Sequence, residues 1–449
     1  MTDLIDEWVH SISPYIDAPF PFIEATGYHL VSDLLGRFFN CASMPNGRPN
    51  LWILISSIPG RARRSSLQGL AEKVTHSSLL QYYQAIKLTP KFREQKRQEK
   101  FDALTEDAKK EEVTKYRNRV IAQTSIEEGT PEGIGDAVST RPYKEFRIVS
   151  TEMSGVFRRM DRPQNTGVEA LLSKLYYGEG GSSLLSGRSG PPKERIIPRG
   201  LYVTMLAGMQ QPQECLTIGM IKQGLLRRMM ISYVEDFDRW LPPLNLERFI
   251  VTGLCERMAS KITNIMLAVV EKMSSEPFDI MFHPTVYDKV NLFARKLDEE
   301  ITSDPSLPNI YKQSLWEHLA KLSLNRTIAG LTVDGIQNEG LHDLLVSPKD
   351  FEEASKFLKP LMDKADDIVD SLKPPEDRIL PRTTDAERVL RYITSGGREG
   401  ILRSALSKRM GSPDPAKLQS MTNTLILEGR VRGEQQAGKK GGGVRFYAV

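Results

Sequence analysis

The apolar run LWILI (51–55) leads directly into SSIPGRARRSS (56–66), and this junction restricts the fold more than any other stretch. A short apolar run flanked by proline and serine suits a buried strand. Residues 66–73 read as the opening of a helix, so the order is strand, glycine-containing turn, helix. That order is the setting of a phosphate-binding loop. There, backbone N–H groups at a helix N-terminus face an anion, a lysine meets the terminal phosphates, and a Ser or Thr hydroxyl binds Mg²⁺. Gly60 supplies the turn, Arg64 stands in the lysine slot beside Arg63, and Ser65 or Ser66 supplies the hydroxyl, with Ser65 the candidate Mg²⁺ ligand. The glycine that normally precedes the lysine is Arg63, and the first glycine is Ile58 or Ser57. The residues alone therefore leave two readings open: an altered nucleotide site, or a strand-to-helix turn with surface arginines. Arginine reaches phosphates with a planar fork but is bulkier than an ammonium. Nucleotide binding with slow hydrolysis is the expectation if the first reading holds.

Two further positions bear on that choice. A second strand candidate, FRIVS, ends at Thr151-Glu152, so Glu152 is placed to orient an attacking water. Thr151 occupies the position where a metal-binding Asp is usual. Arg227 and Arg228 follow a glycine turn and open RRMMISYV, a fourth strand candidate, where they would project from a subunit edge towards a neighbour's phosphate. For each of these the plainer reading is an ordinary strand-end carboxylate or surface charge.

The length of 449 residues allows two or three domains. Residues 1–45 are read as an N-terminal helical segment and 46–245 as an α/β core, with a charged, solvated helical insertion at 77–123. EEGTPEGIGDA (127–137) is read as a turn and short helix, and LYVTMLAG (201–208) as a third strand candidate. Residues 178–193 have the Gly/Ser composition of a flexible loop, and Arg188, Lys193, Arg195 and Arg199 are candidates for contact with a strand backbone. Residues 246–372 read as mostly helix, forming a lid region, and 373–384 as a linker.

Residues 385–449 hold twelve Lys or Arg against six Asp or Glu, a local charge of +6, while the whole chain carries +4. The excess positive charge thus lies in this segment, where a polyanion is expected to bind. DAERVLRYI, ILRSALSKRM and AKLQSMTNTLILEG read as three helices, followed by a strand pair around AGKKGGG. Three helices and a hairpin with a basic tip predict a winged helix-turn-helix. Lys417, Gln419 and Asn423 on the third helix are groove-facing candidates, Arg403, Lys408 and Arg409 backbone contacts, and Lys439 and Lys440 phosphate contacts at the wing tip. A protein-docking module is the competing reading.

Three dispersed cysteines, Cys41, Cys215 and Cys255, fit a reduced cytoplasmic protein without structural zinc. No apolar run is long enough to span a bilayer, and no HExxH or GxSxG occurs.

Taken in order, PFPFIEATGYHLVSDLLGR, NLWILISSIPGRARRSS, EEGTPEGIGDA, FRIVSTEMSGVF, LSKLYYGEG, LYVTMLAGMQQP and GLLRRMM resemble the ATPase family of phage, plasmid and integrated elements. Its members are often fused to a primase-polymerase and are similar to replicative helicases. The likeness runs over roughly residues 15–370. It implies a P-loop NTPase (RecA/AAA+-like) core, ATP and Mg²⁺ as cofactors, a homo-oligomeric ring expected to be a hexamer, and ATP-driven movement on DNA. By position, Gly60, Arg64 and Ser65 match the phosphate loop, Glu152 the catalytic carboxylate, Gln210 or Gln211 the polar sensor, and Arg227 or Arg228 the finger that acts in trans. The ATPase-like region starts close to the amino terminus, so no primase-polymerase domain is expected. The expected function is an ATP-dependent DNA motor or helicase of replication, from a mobile or archaeal-type element. The alternatives are a non-catalytic initiator or partition-type DNA-binding protein with a decayed loop, and a transcription regulator.

Overall fold

The computed structural model describes residues 2–44, 47–57, 64–88, 125–126, 145–160, 168–179, 181–185, 193–197, 199–210, 212, 216–234, 248–273, 276–372, 385–394, 401–409, 415–427, 429–435 and 444–448. It divides into two compact units, residues 1–372 and 373–449.

The first unit is mixed α/β, built on a parallel sheet. Its strands are β1 (Trp52–Ser57), the two-residue β2 (Ser125–Ile126), β3 (Glu145–Ser150), β4 (Tyr202–Met209) and β5 (Met230–Val234). Their spatial order is β2-β3-β4-β1-β5. Every residue of β1 and β4 is buried, because helices cover both faces and a parallel strand then reads as a continuous apolar run rather than an alternation. In β1, Ile53 and Ile55 share a core with Leu67, Ala71 and Val74 of the following helix α3 (Arg64–Leu88). Trp52 and Leu54 point the other way. They pack with Phe157 of α4 (Ser154–Met160), Leu171 and Leu175 of α5 (Val168–Tyr177), and Met220 of α6 (Ile218–Lys222).

This two-sided covering follows from the connections. The chain leaves β1 towards β2 at the far edge, whereas β3 to β4 and β4 to β5 run the opposite way. Right-handed crossovers then place the intervening helices on opposite faces. Adjacent β1 and β4 have connections that leave in opposite directions, so a topological switch point lies between them. The crevice beyond the carboxyl ends of strands at such a point is where open α/β sheets bind ligands.

Helices from both ends of the unit close over the α3 face. Ser78 of α3 donates to the Ala259 carbonyl of α7 (Arg248–Lys272) at 3.2 Å, and Thr263 returns a bond to the Ser78 carbonyl. Helix α1 (Leu4–Ile12) lies against α2 (Phe20–Leu34), where the Trp8 indole N–H bonds Thr26 Oγ1 at 2.9 Å. A Cβ at Gly27 would lie 3.1 Å from the Trp8 ring, so the close approach of these helices favours glycine. Helix α8 (Leu315–Ala329) is buried over most of its circumference. Its Arg326 reaches Asp3, Asp6 and Glu24 at 2.7–3.0 Å, joining α1, α2 and α8.

Several expectations are corrected. Residues 77–88 are not part of a solvated insertion. They complete α3, with Ser78, Leu79 and Tyr82 buried against α7 and α2; residues 89–124 lie outside the described residues, as does EEGTPEGIGDA. Part of the Gly/Ser-rich stretch forms an antiparallel hairpin, Gly181–Leu185 with Lys193–Ile197. Main-chain pairing overrides a composition with little β preference. Arg227 and Arg228 belong to a short 3₁₀ turn, Leu226–Arg228, that precedes β5 rather than to the strand.

The second unit carries α9 (Asp385–Thr394), β6 (Ile401–Leu402), α10 (Arg403–Arg409), α11 (Pro415–Leu427), β7 (Val431–Gln435) and β8 (Val444–Ala448). Its small antiparallel sheet has the order β6-β8-β7. Val389, Ile393, Leu406, Leu418, Leu425, Val431 and Phe446 form its core. The segment read as one helix from Ile401 begins as a strand, because Ile401 pairs with Phe446 and Leu402 with Arg445. Gly429, at φ +70°, ends α11, a conformation glycine adopts without a Cβ penalty. No helix among the described residues is long and apolar enough to cross a membrane.

Candidate functional site

The carboxyl edge of the sheet is assembled by three strand ends and the first turns of α3. Gln68, on α3, donates its side-chain N–H to the Ser150 carbonyl at the end of β3, at 3.2 Å. That contact places the start of α3 over the ends of β3 and β4. Arg64 lies one helical turn before Gln68 on the same face, and Ser65 and Ser66 of the opening turn are exposed. The end of β1 comes to the same edge. Ser56 donates to the Gln210 carbonyl at 2.5 Å, and Ser57 Oγ is buried with no hydrogen-bond partner among the described residues.

Glu152 stands two residues beyond Ser150, half-buried. One carboxylate oxygen accepts the Ser154 N–H at 3.2 Å, at the start of α4, where a negative charge meets the positive end of a helix. The Glu152 N–H in turn reaches Ser150 Oγ at 3.3 Å. Gln210 N–H reaches Ser154 Oγ at 3.3 Å, and Met153 N–H the Gly208 carbonyl at 2.7 Å. The turn after β3 is thereby tied to the end of β4. Gly208 is required by this closeness, since a Cβ there would lie 2.5 Å from the Thr151 carbonyl oxygen.

Arg64, Ser65, Ser66, Glu152 and Gln210 therefore share one edge of the sheet. Gly60, Arg63 and Gln211 lie outside the described residues. The donors fit a phosphate: a helix start with exposed hydroxyls, a guanidinium, and an unpartnered buried hydroxyl at Ser57. For Mg²⁺, which keeps several waters and takes one or two protein oxygens, Ser65 is the exposed hydroxyl and Glu152 the nearby carboxylate. Among the described residues no group of three or more His, Cys, Asp or Glu converges as a metal cage.

Arg227 and Arg228 lie at the opposite, amino-terminal edge, immediately before β5. Arg227 donates to Gln313 Oε1 at 2.8 Å, and Arg228 donates to the Gly224 carbonyl and stacks over Tyr177 at 4.7 Å. A single Cβ position at Gly224 would be 2.7 Å from one guanidinium and 3.0 Å from the other. Two like charges are thus packed together on neutral partners, an arrangement that attracts an anion. The five-residue length of β5 separates this pair from the carboxyl edge of its own sheet.

Behind the arginines is a buried polar cluster that sequence reasoning missed. Lys321 Nζ binds Glu317 at 3.1 Å and Asn50 Oδ1 at 3.0 Å, and sits 3.8 Å above the Tyr176 ring. Burial lowers the Lys321 pKa against the attraction of Glu317. Burial also pushes the Tyr176 hydroxyl well up, aided by Glu317. His318 Nε2 lies 2.9 Å from the Arg227 carbonyl, and burial holds its pKa down to about 4. The i, i+4 pair Glu317–Lys321 looks like a solvated helix face, and nothing local marks it as interior. Gln68 was missed for the same reason.

In the second unit, Gln419 and Asn423 bond each other on α11 at 2.8 Å, and Asn423 is exposed. Arg403 opens α10, half-buried. The side chains of Lys408, Arg409 and Lys417 and all of Lys439 and Lys440 lie outside the described residues, as do Arg188 and the linker 373–384. No protein-family model matches the chain, and comparison with curated proteins gives no match.

Proposed function

We propose that the chain is a nucleotide-dependent DNA motor, helicase-like and acting in DNA replication, of a mobile or archaeal-type element. One observation carries this reading. The Gln68–Ser150 bond holds the start of α3, with Arg64 and Ser65, over the switch point of a parallel sheet and on the same edge as Glu152. A helix start at a switch point is a general anion site, and a carboxylate at the end of β3, one strand removed from β1 on the same edge, can orient the water that receives the phosphoryl group.

In this reading the α3 amides and the Arg64 guanidinium hold the phosphates, and Ser65 contributes a hydroxyl to the metal. Glu152 orients the attacking water. ATP supplies the phosphoryl group, and Mg²⁺ neutralises charge on it. Arg227 and Arg228 lie at the edge opposite their own phosphate edge, so in this reading they serve a neighbouring copy in a homo-oligomeric ring, expected to be a hexamer. The second unit acts as a winged helix that grips DNA, with α11 entering the groove. Its element order, with a helix pair followed by the β7–β8 hairpin, supports that role.

The test is ATP turnover with and without single-stranded DNA. The motor reading expects DNA-stimulated turnover that Glu152→Gln lowers by at least 100-fold, about 2.7 kcal/mol of barrier, while nucleotide binding persists. A second reading, a DNA-binding initiator or partition-type protein with a decayed loop, is favoured by Thr151 in the metal-carboxylate position and by the engagement of Glu152 with Ser154 N–H. DNA binding that is indifferent to nucleotide, without turnover, would decide for it.

A further inference from the structure

The contact between Gln68 and Ser150 joins two segments 82 residues apart, and its details exceed what packing needs. Gln68 is 1% exposed. Its N–H faces the Ser150 carbonyl, which can only accept, so the amide orientation is fixed by chemistry. The other end of the amide, Oε1, is buried with no hydrogen-bond partner among the described residues. It points towards Gly208, where a Cβ would stand 3.2 Å away. A buried acceptor without a donor is costly, and an apolar side chain of the same length would fill the space without that cost. Retaining a glutamine at such a position is explained if the amide sets a geometry rather than stabilises the fold.

The geometry it sets is specific. On α3, Gln68 lies one turn from Arg64. On β3, Ser150 lies two residues from Glu152. The single amide therefore spans the two halves of the edge, the phosphate-facing helix and the strand carrying the carboxylate. Ser57 Oγ, likewise buried and unpartnered at the end of β1, lies at the same edge.

We propose that Gln68 is a positioning residue that fixes the separation between the phosphate-holding start of α3 and the Glu152 carboxylate. The proposal rests on the nucleotide-motor reading above. Gln68 touches no reacting atom. It acts through Ser150 and the turn to Glu152, and so governs the alignment of the attacking water rather than the affinity for nucleotide.

The experiment uses the full chain with Gln68→Met, which keeps length and removes both hydrogen-bonding groups, and Gln68→Glu, which replaces the donor by an acceptor facing the Ser150 carbonyl. Binding of a fluorescent ATP analogue and steady-state ATP turnover are measured for both and for the wild type. The expected result is a kcat reduced at least 10-fold in both variants, with KM and analogue affinity within about 3-fold of wild type. Retained affinity in either variant also establishes that its fold is intact. Wild-type kcat in Gln68→Met overturns the proposal. Parallel loss of affinity and turnover in both variants overturns it too, because that is the signature of a glutamine serving only the fold. A wild-type chain that neither binds nor hydrolyses ATP refutes the motor reading itself, a failure distinct from a wild type that is active and indifferent to Gln68.

Discussion

Replacing His318 by glutamine should flatten the acid limb of the stability profile. The imidazole is 2% exposed, and its Nε2 faces the Arg227 carbonyl at 2.9 Å, so this nitrogen carries the proton in the neutral ring. Burial is the main cause of a pKa lowered from 6.5 to about 4, with Glu317 opposing and Lys321 assisting. The unfolded chain takes up its proton near pH 6.5 and the folded chain only near 4. The unfolded state therefore binds more protons throughout that window, and stability falls as pH falls through it. The full window is worth about 3.4 kcal/mol at 1.36 kcal/mol per pH unit, and the interval from pH 7 to pH 5 about 2 kcal/mol. Glutamine keeps an N–H for the Arg227 carbonyl and does not titrate. His29, held down to about 4, and Glu24, pushed up to about 7, shape both curves alike and cancel in the comparison. All four tryptophans, Trp8, Trp52, Trp240 and Trp316, lie within residues 1–372, so urea unfolding followed by tryptophan fluorescence reports the first unit. The wild type should lose about 2 kcal/mol more than His318→Gln between pH 7 and pH 5. Equal losses would show that His318 is protonated in the folded chain, and the argument from burial would fail.

Two other outcomes follow from named contacts. Lys321→Met should destabilise the first unit by about 3–5 kcal/mol, because Glu317 is left buried without its counter-charge; the same urea titration at pH 7 measures it, and a loss under 1 kcal/mol would mean that water reaches Glu317. Replacing both Lys439 and Lys440 by alanine should weaken duplex binding and reduce the slope of log K against log salt by about 1.8, the value for two lost phosphate contacts, whereas an unchanged slope would take the glycine-rich tip out of the interface.

The chain itself determined the layout around the first motif. LWILI, FRIVS and LYVTMLAG are strands because an interior parallel strand is apolar on both faces, and that signature survives without neighbours. The helix after SSIPGRARRSS was legible from its position after a turn, as were three helical stretches and a hairpin in the basic C-terminal unit. Tertiary structure decided the rest. Ser125–Ile126 is a strand only because β3 lies beside it, and Ile401–Leu402 only because β8 does. Residues 77–88 carry no marker that distinguishes a solvated helix from one packed on α7. The order β2-β3-β4-β1-β5 cannot be read from local pattern, since every candidate strand looks equally interior. The common direction of the parallel strands puts Arg64 and Glu152 at the carboxyl edge and Arg227 and Arg228 at the amino edge, and the order decides which strand ends lie side by side there. Gln68, Lys321 and Glu317 are polar letters that any surface helix would carry. Burial gave them their roles, and burial depends on partners distant in the chain.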